Sequence, residues 1–296
     1  MDITSYLTEK RTLINEALSQ FIPPSKELHQ TVVEAMRYSV FAGGKRIRPI
    51  LCISGWEAAG GGDATVLPFA CALELIHTYS LIHDDLPGMD DDDLRRGVPT
   101  CHKKFGEAAA ILAGDALLTE AFYLMTDSLL YPGIDPVRLL GAAHIVAERI
   151  SYRGMVDGQM VDVESEGKES SLELVQFIHR KKTAEFIQAS VVSGAYLAGA
   201  SKDDFSAFAG YGLQLGLAFQ IRDDILDEVG ESQVMGKPQG SDKIHHKITY
   251  PSAIGLDKSR ESEKAAIQGA IRSIEHMNSR SDPLKAIALY LLEREH

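Results

Sequence analysis

The sequence predicts an all-α fold, a single-domain bundle of roughly ten or more helices over residues 1–296. Three observations carry that prediction. Apolar residues recur at three- and four-residue spacing along most of the chain. Strand-like alternation is nearly absent. No internal repeat, low-complexity tract or long linker divides the sequence.

Taken in order, residues 3–20 form an amphipathic opening helix stopped by Pro23-Pro24, and Ser25 reads as the N-cap of a second helix reaching Phe41. Gly43-Gly44 punctuates the chain before a helix over roughly 50–59. After Gly60-Gly61-Gly62, Asp63 caps a long apolar helix ending in a run of aspartates. A loop over about 95–106 separates it from a small-residue helix starting at Glu107, which Tyr131-Pro132-Gly133 closes. Asp135-Pro136 is a cap followed by proline in the first turn, and the pattern then stays helical from Leu139 to Asp162. A polar loop covers 164–170. Long helices follow over 171–197 and 202–229, then a polar, glycine-containing loop over 230–249, then helices over about 251–278 and 283–294.

With 45% apolar residues the chain can bury a substantial core, and its net charge of −12 argues against a nucleic-acid surface, which needs clustered Lys and Arg. Cys52, Cys71 and Cys101 show neither disulfide parity nor metal-ligand spacing and read as buried thiols. The opening MDITSYLTEKR lacks an apolar signal core, and no stretch approaches the ~20 apolar residues that span a bilayer. A reducing, cytoplasmic setting is the expectation.

The stretch 83–96, HDDLPGMDDDDLRR, sets Asp84, Asp85 and Asp90 to Asp93 directly after the apolar run CALELIHTYSLI. On its own such a run is more often a solvated loop. Helix-anchored carboxylates aimed from an apolar wall, however, suit a hard divalent cation shared with substrate phosphates. Pro87 cannot continue the helix, so a bulge around Asp85–Gly88 can return Asp90 to Asp84. The second motif, FQIRDDILD, places Asp223 and Asp227 one turn apart on an otherwise apolar helix, with Gln220 a turn before. Like charges at that spacing repel by a few tenths of a kcal/mol, and a bound cation reverses the sign. His77 lies seven residues before Asp84, within about 20° on the same face, although a lone histidine is usually a core residue. Lys45, Arg48, Arg95, Arg96, Lys181, Lys182, Lys237 and Lys247 run against the global sign and could meet phosphate oxygens; solubilisation alone would account for each singly.

With these residues placed, the sequence resembles the short-chain trans-prenyltransferases, in particular the bacterial-type farnesyl diphosphate synthases. The resemblance covers nearly the whole chain through GGKRIRP (43–49), LIHTYSLIHDDLPGMDDDDLRRG (75–97), CHKKFGEAAAILAGDALL (101–118), GQMVD (158–162), HRKKT (179–183), GLAFQIRDDILD (216–227) and GKPQGSDKIHHKITYP (236–251). Gly88 and Ile248 depart from the usual residues without removing a charged group.

What the resemblance implies is an isoprenoid-synthase bundle around a central cavity, working as a homodimer. Three Mg²⁺ ions, replaceable by Mn²⁺, would be held by Asp84, Asp90 and Asp223 with Asp85 and Asp227 in support. An allylic diphosphate would meet Arg95, Lys182, Lys237 and Lys247. Thr183, Gln220 and the Lys182 carbonyl would stabilise the allylic cation left by ionisation. Isopentenyl diphosphate would rest on Lys45, Arg48, His77 and Arg96. Tyr79, five residues before the first aspartate, would floor the product tunnel and point to farnesyl diphosphate, while the small Ser80 beside it allows longer products. The alternatives are a geranylgeranyl or geranyl diphosphate synthase on the same fold and, more distantly, a non-catalytic regulatory subunit or a metal phosphohydrolase.

Overall fold

Caps and apolar stripes set the helix boundaries along the chain. The computed structural model describes residues 2–24, 30–229 and 247–293. Asp2 accepts from the Thr4 amide at the head of α1 (Ile3–Phe21), and α2 spans Thr31–Phe41. The expected cap at Ser25 lies outside the described residues. Helix α3 (Ile47–Ala58) begins three residues earlier than the periodicity suggested, directly after Arg46 in a left-handed conformation with φ 55°. Asp63 caps a single 3₁₀ turn (Ala64–Val66) that feeds α4 (Leu67–Asp84). The stretch expected as loop holds a two-residue antiparallel pair, β1 (Leu94–Arg95) with β2 (Val98–Pro99), and a short α5 (Cys101–Phe105). These are too short for alternation to register in the sequence.

Helix α6 spans Glu107–Thr126, and α7 (Pro136–Ile150) starts under the Asp135 cap with proline in its first turn. The expected continuous helix to Asp162 breaks at Ser151–Gly154 before α8 (Met155–Glu164). Ser171 caps α9 (Leu172–Ile178), and the expected single helix over 171–197 is interrupted by a π turn, His179–Ala184, before α10 (Glu185–Ala198). Helix α11 runs unbroken from Lys202 to Val229. After the undescribed span come α12 (Tyr250–Ile254), set by a Thr249–Ser252 capping box, α13 (Leu256–Ser273) and α14 (Asp282–Glu293).

Helix α4 sits at the centre. Every residue from Pro68 to Ile76 is buried, as befits a helix apolar on all sides. It packs along α6 and α3, α3 lies against α10, and α10 and α13 flank α11. One apolar cluster joins α1 to α7, α10, α11, α13 and α14, and a smaller one under α9, α11 and α12 includes Val175, Ile221, Ile225 and Tyr250. All three cysteines are buried and free. The expectation that no segment is apolar enough to span a bilayer needs correcting: Ala64–Asp84 and Glu107–Thr126 pass by length and composition. The first owes its apolarity to its central place, with 72% of its most apolar window buried inside the protein.

Candidate active site

Helix α4 stops at Asp84, and the turn through Pro87-Gly88 folds back onto its end. The Met89 amide donates to the Leu86 carbonyl at 2.8 Å, and the Asp90 amide donates to the Asp84 carbonyl at 2.9 Å. That second bond spans six residues and places Asp90 beside Asp84, the bulge the proline predicted. Asp85 turns the other way and is gripped by Arg95, whose Nε lies 2.9 and 2.8 Å from its two carboxylate oxygens. Asp91 and Asp93 face Lys103 at 3.6 and 2.7 Å, which ties the outer half of the motif to α5.

Lysines come in from two other elements. Lys247, just before α12, lies 3.0 Å from both oxygens of Asp90, and Lys182 in the π turn lies 2.6 Å from Asp162 of α8. Lys247 also stands 3.8 Å from Asp162. Burial raises the Asp84 pKa and the Asp90 charge adds to the rise, while Lys182, Arg95 and Lys247 oppose it. Burial of Lys182 disfavours its charge, but Asp162, Asp84 and Asp90 together hold it protonated well above the usual lysine range. Carboxylates and ammonium groups therefore alternate at the end of α4.

Asp162 belongs to this cluster of charges, and sequence reasoning assigned it no part. Its signal is the spacing in GQMVD: Gly158 and Asp162 share one helical face. A Cβ at Gly158 would lie 2.3 Å from the Lys182 backbone nitrogen, so only glycine lets the π turn approach while Asp162 reaches its lysine. The π turn also separates the two adjacent lysines. Lys181 donates to the Arg153 carbonyl at 2.6 Å and pairs with Glu185 at 3.1 Å, whereas Lys182 faces the aspartates.

Asp223 is half-buried and Asp227 buried, on one face of α11. Asp223 lies within the electrostatic reach of Arg48: burial lowers the Arg48 pKa to about 10, against the pull of Glu74 and Asp223. Among the described residues no three His, Cys, Asp or Glu side chains converge closely enough to cage a metal. The donors are nonetheless all oxygens and already gather cations around themselves. That set fits Mg²⁺, which keeps few protein ligands and shares its shell with phosphates.

A second group forms where α3 begins. The Arg48 guanidinium stacks 5.0 Å from the Phe186 ring centroid, and its Nε has no hydrogen-bond partner among the described residues. Arg96, left-handed at φ 54°, donates to the Gly43 carbonyl. His77 is half-buried, and burial together with Arg48, Arg96, Arg95 and Arg46 drives its pKa well below the ordinary histidine value. Arg48, His77 and Arg96 are thus brought together. Lys45 is exposed and borders a small, mainly apolar pocket with Ile47, Phe219 and Leu291. Arg46, buried, pairs instead with Glu74 at 2.7 Å. Lys237 lies outside the described residues.

The Thr183 hydroxyl donates to the Gln220 side-chain oxygen at 2.8 Å, joining the π turn to α11. Tyr79 is buried on α4, where burial and the Asp84 charge push its hydroxyl up to about 12, and the Ser80 hydroxyl donates to the His77 carbonyl at 2.9 Å.

The polyprenyl synthetase family profile matches residues 29–288. The chain is 45% identical over 299 residues to a heterodimeric geranylgeranyl pyrophosphate synthase large subunit of Arabidopsis thaliana, covering 100% of this chain and 80% of that protein. It is 42% identical to a geranylgeranyl diphosphate synthase of Cyanophora paradoxa, over 100% of this chain and 97% of the relative. Among solved structures, an FPP/GFPP synthase from Zymomonas mobilis superposes with a TM-score of 0.87 at 32% identity, covering 98% of this chain and 99% of that one.

Proposed function

The chain belongs to the polyprenyl synthetase family of prenyltransferases, and we propose that it condenses isopentenyl diphosphate with allylic diphosphates to make geranylgeranyl diphosphate. The observation that carries the reaction is the meeting of Asp84, Asp90 and Asp162 with Lys182 and Lys247, next to the separate group of Arg48, His77 and Arg96. Two cation-rich sites suit two diphosphates.

Farnesyl diphosphate was the product expected from the sequence. Relatives at 42–45% identity named as geranylgeranyl synthases support the longer product better. One structural observation favours the shorter chain: the bulky Tyr79 is buried on α4, five residues before Asp84. Incubation with Mg²⁺, isopentenyl diphosphate and dimethylallyl or geranyl diphosphate, followed by sizing of the products, tests the proposal. A C20 product supports it, and a product that stops at C15 replaces it with the second reading.

Asp84, Asp90 and Asp223 would hold the metal, three Mg²⁺ ions with Mn²⁺ as substitute, and Asp85 and Asp227 would support them. Bound there, the metal supplies Lewis-acid stabilisation to the departing diphosphate. Arg95, Lys182, Lys237 and Lys247 add fixed positive charge to the same group, which lowers the barrier electrostatically. Asp85 serves by aiming Arg95. Thr183, Gln220 and the Lys182 carbonyl offer dipoles to the allylic cation. Lys45, Arg48, His77 and Arg96 hold isopentenyl diphosphate, with His77 kept neutral by burial and its arginine neighbours and able to donate a hydrogen bond. The released diphosphate takes the proton lost from the new prenyl unit.

We read the working form as a homodimer, supported by the exposed Ile111, Leu112 and Tyr123 on α6 and tested by sedimentation. The reducing, cytoplasmic setting suits three buried free thiols. The chloroplast location in the plant relatives' names belongs to those proteins.

A further inference from the structure

Asp224 stands next to Asp223, yet its carboxylate faces into the protein. We propose that Asp224 is a positioning residue that fixes which end of the Gln220 amide faces the reaction, and so sets the sign of the dipole offered to the allylic cation. The inference rests on the reading of Gln220 and Thr183 as cation-stabilising groups. Asp224 is 4% exposed. One of its oxygens, Oδ2, accepts from the Tyr250 backbone amide at 2.9 Å and faces Nε2 of His179 at 3.2 Å. Its other oxygen, Oδ1, takes the Gln220 side-chain nitrogen at 3.3 Å. His179 stacks on Tyr250 with ring centroids 5.2 Å apart, so the carboxylate sits where the π turn, α11 and α12 meet.

The chemistry of the donors makes this arrangement directional. An ionised carboxylate accepts hydrogen bonds and cannot donate them. The Gln220 nitrogen must therefore face Asp224, and the amide oxygen, the negative end of the dipole, lies on the Thr183 side, where it accepts the hydroxyl at 2.8 Å. An asparagine at 224 would remove that constraint. Its single oxygen would stay with the Tyr250 amide and His179, its NH₂ would face Gln220, and the Gln220 amide would have to flip. The positive end would then point towards the developing cation.

The test is steady-state kinetics of Asp224→Asn, alone and in a Gln220→Ala background, with thermal unfolding and Mg²⁺ titration on each variant. Asp224→Asn is expected to lower kcat by roughly tenfold, a modest loss among preorganised polar contributions. Its KM for both diphosphates and its Mg²⁺ half-saturation should stay within twofold. In the Gln220→Ala background the same change should cost less than twofold, because the amide through which Asp224 acts is gone. A raised Mg²⁺ half-saturation, as Asp223→Asn should give, would make Asp224 a metal group and overturn the proposal. So would a full tenfold loss on top of Gln220→Ala, or wild-type kcat in Asp224→Asn while Gln220→Ala is impaired. Wild-type kcat in Gln220→Ala would overturn the underlying reading together with the inference. His179→Gln disturbs the packing of the same carboxylate but leaves the amide orientation alone, which keeps the idea testable if Asp224→Asn unfolds. Its kcat should stay within twofold of wild type, and a tenfold fall there would make the effect one of packing.

Discussion

The rings of Tyr79 and His83 meet edge-on, with centroids 5.7 Å apart and planes at 80°. Four residues apart on α4, they share a face, and His83 Nε2 lies 3.1 Å from the Ile111 carbonyl of α6. A carbonyl only accepts, so His83 carries its proton on Nε2 and is pinned by that bond. A Cβ at Gly114 would come within 2.1 Å of the same nitrogen, so the His83 ring fits against α6 only because glycine stands there. Tyr79→Ala is therefore expected to lengthen the products, read by chromatography of the dephosphorylated prenols. Unchanged lengths would remove Tyr79 from the tunnel floor. Gly114→Ala must displace the His83 ring and should cost about 1–3 kcal/mol of stability, the usual penalty for overpacking, read from denaturant midpoints.

The metal proposal has a two-sided test. Asp84 at the end of α4 and Asp223 on α11 come from helices far apart in sequence, and each should be needed. Asp84→Ala and Asp223→Ala are expected to abolish condensation while the far-UV helical signal is kept. Near-normal turnover in either variant would sink the two-sided arrangement. Chelation of the wild type should likewise stop turnover, and added Mg²⁺ should restore it.

Much of this was legible because the information is local. Helix periods, the Asp135-Pro136 start and the return of Asp90 to Asp84 follow from spacing and from what proline forbids. What the sequence hid depends on partners distant in the chain. The π turn at His179–Ala184 is one extra residue in a helical pattern, and periodicity tolerates it. Asp162 looks like any helical acid until Lys182 is seen 2.6 Å away. Arg46 and Arg48 are two residues apart in one motif, yet one is paired inside the protein and the other stacks on Phe186. The choice depends on Glu74, contributed by α4.

His77 gives a dependence on pH. Its folded pKa is held well below the unfolded value by burial and four arginines. Below about pH 6.5 the unfolded chain binds a proton at this site that the folded chain refuses. His77 thus contributes stability that is complete above pH 6.5 and is lost as pH falls towards its folded pKa. The slope from one such group is at most about 1.4 kcal/mol per pH unit. Urea midpoints at pH 7.5 and 5.5 should show a smaller drop for His77→Asn than for the wild type. An equal drop in both would remove His77 as the source.

Arg46 and Glu74 form an ion pair in which both side chains are 2% exposed, and Arg46 also donates to Asn15 at 2.9 Å and to the Val40 carbonyl at 2.6 Å. Removing one partner of such a pair strands a buried charge, which typically costs about 3–5 kcal/mol. Glu74→Leu should therefore destabilise strongly. The double variant Arg46→Met/Glu74→Leu removes both charges and should regain most of the lost stability, since apolar replacement of a whole buried pair is often neutral. A double variant as unstable as Glu74→Leu alone would mean that Glu74 serves more than the Arg46 charge.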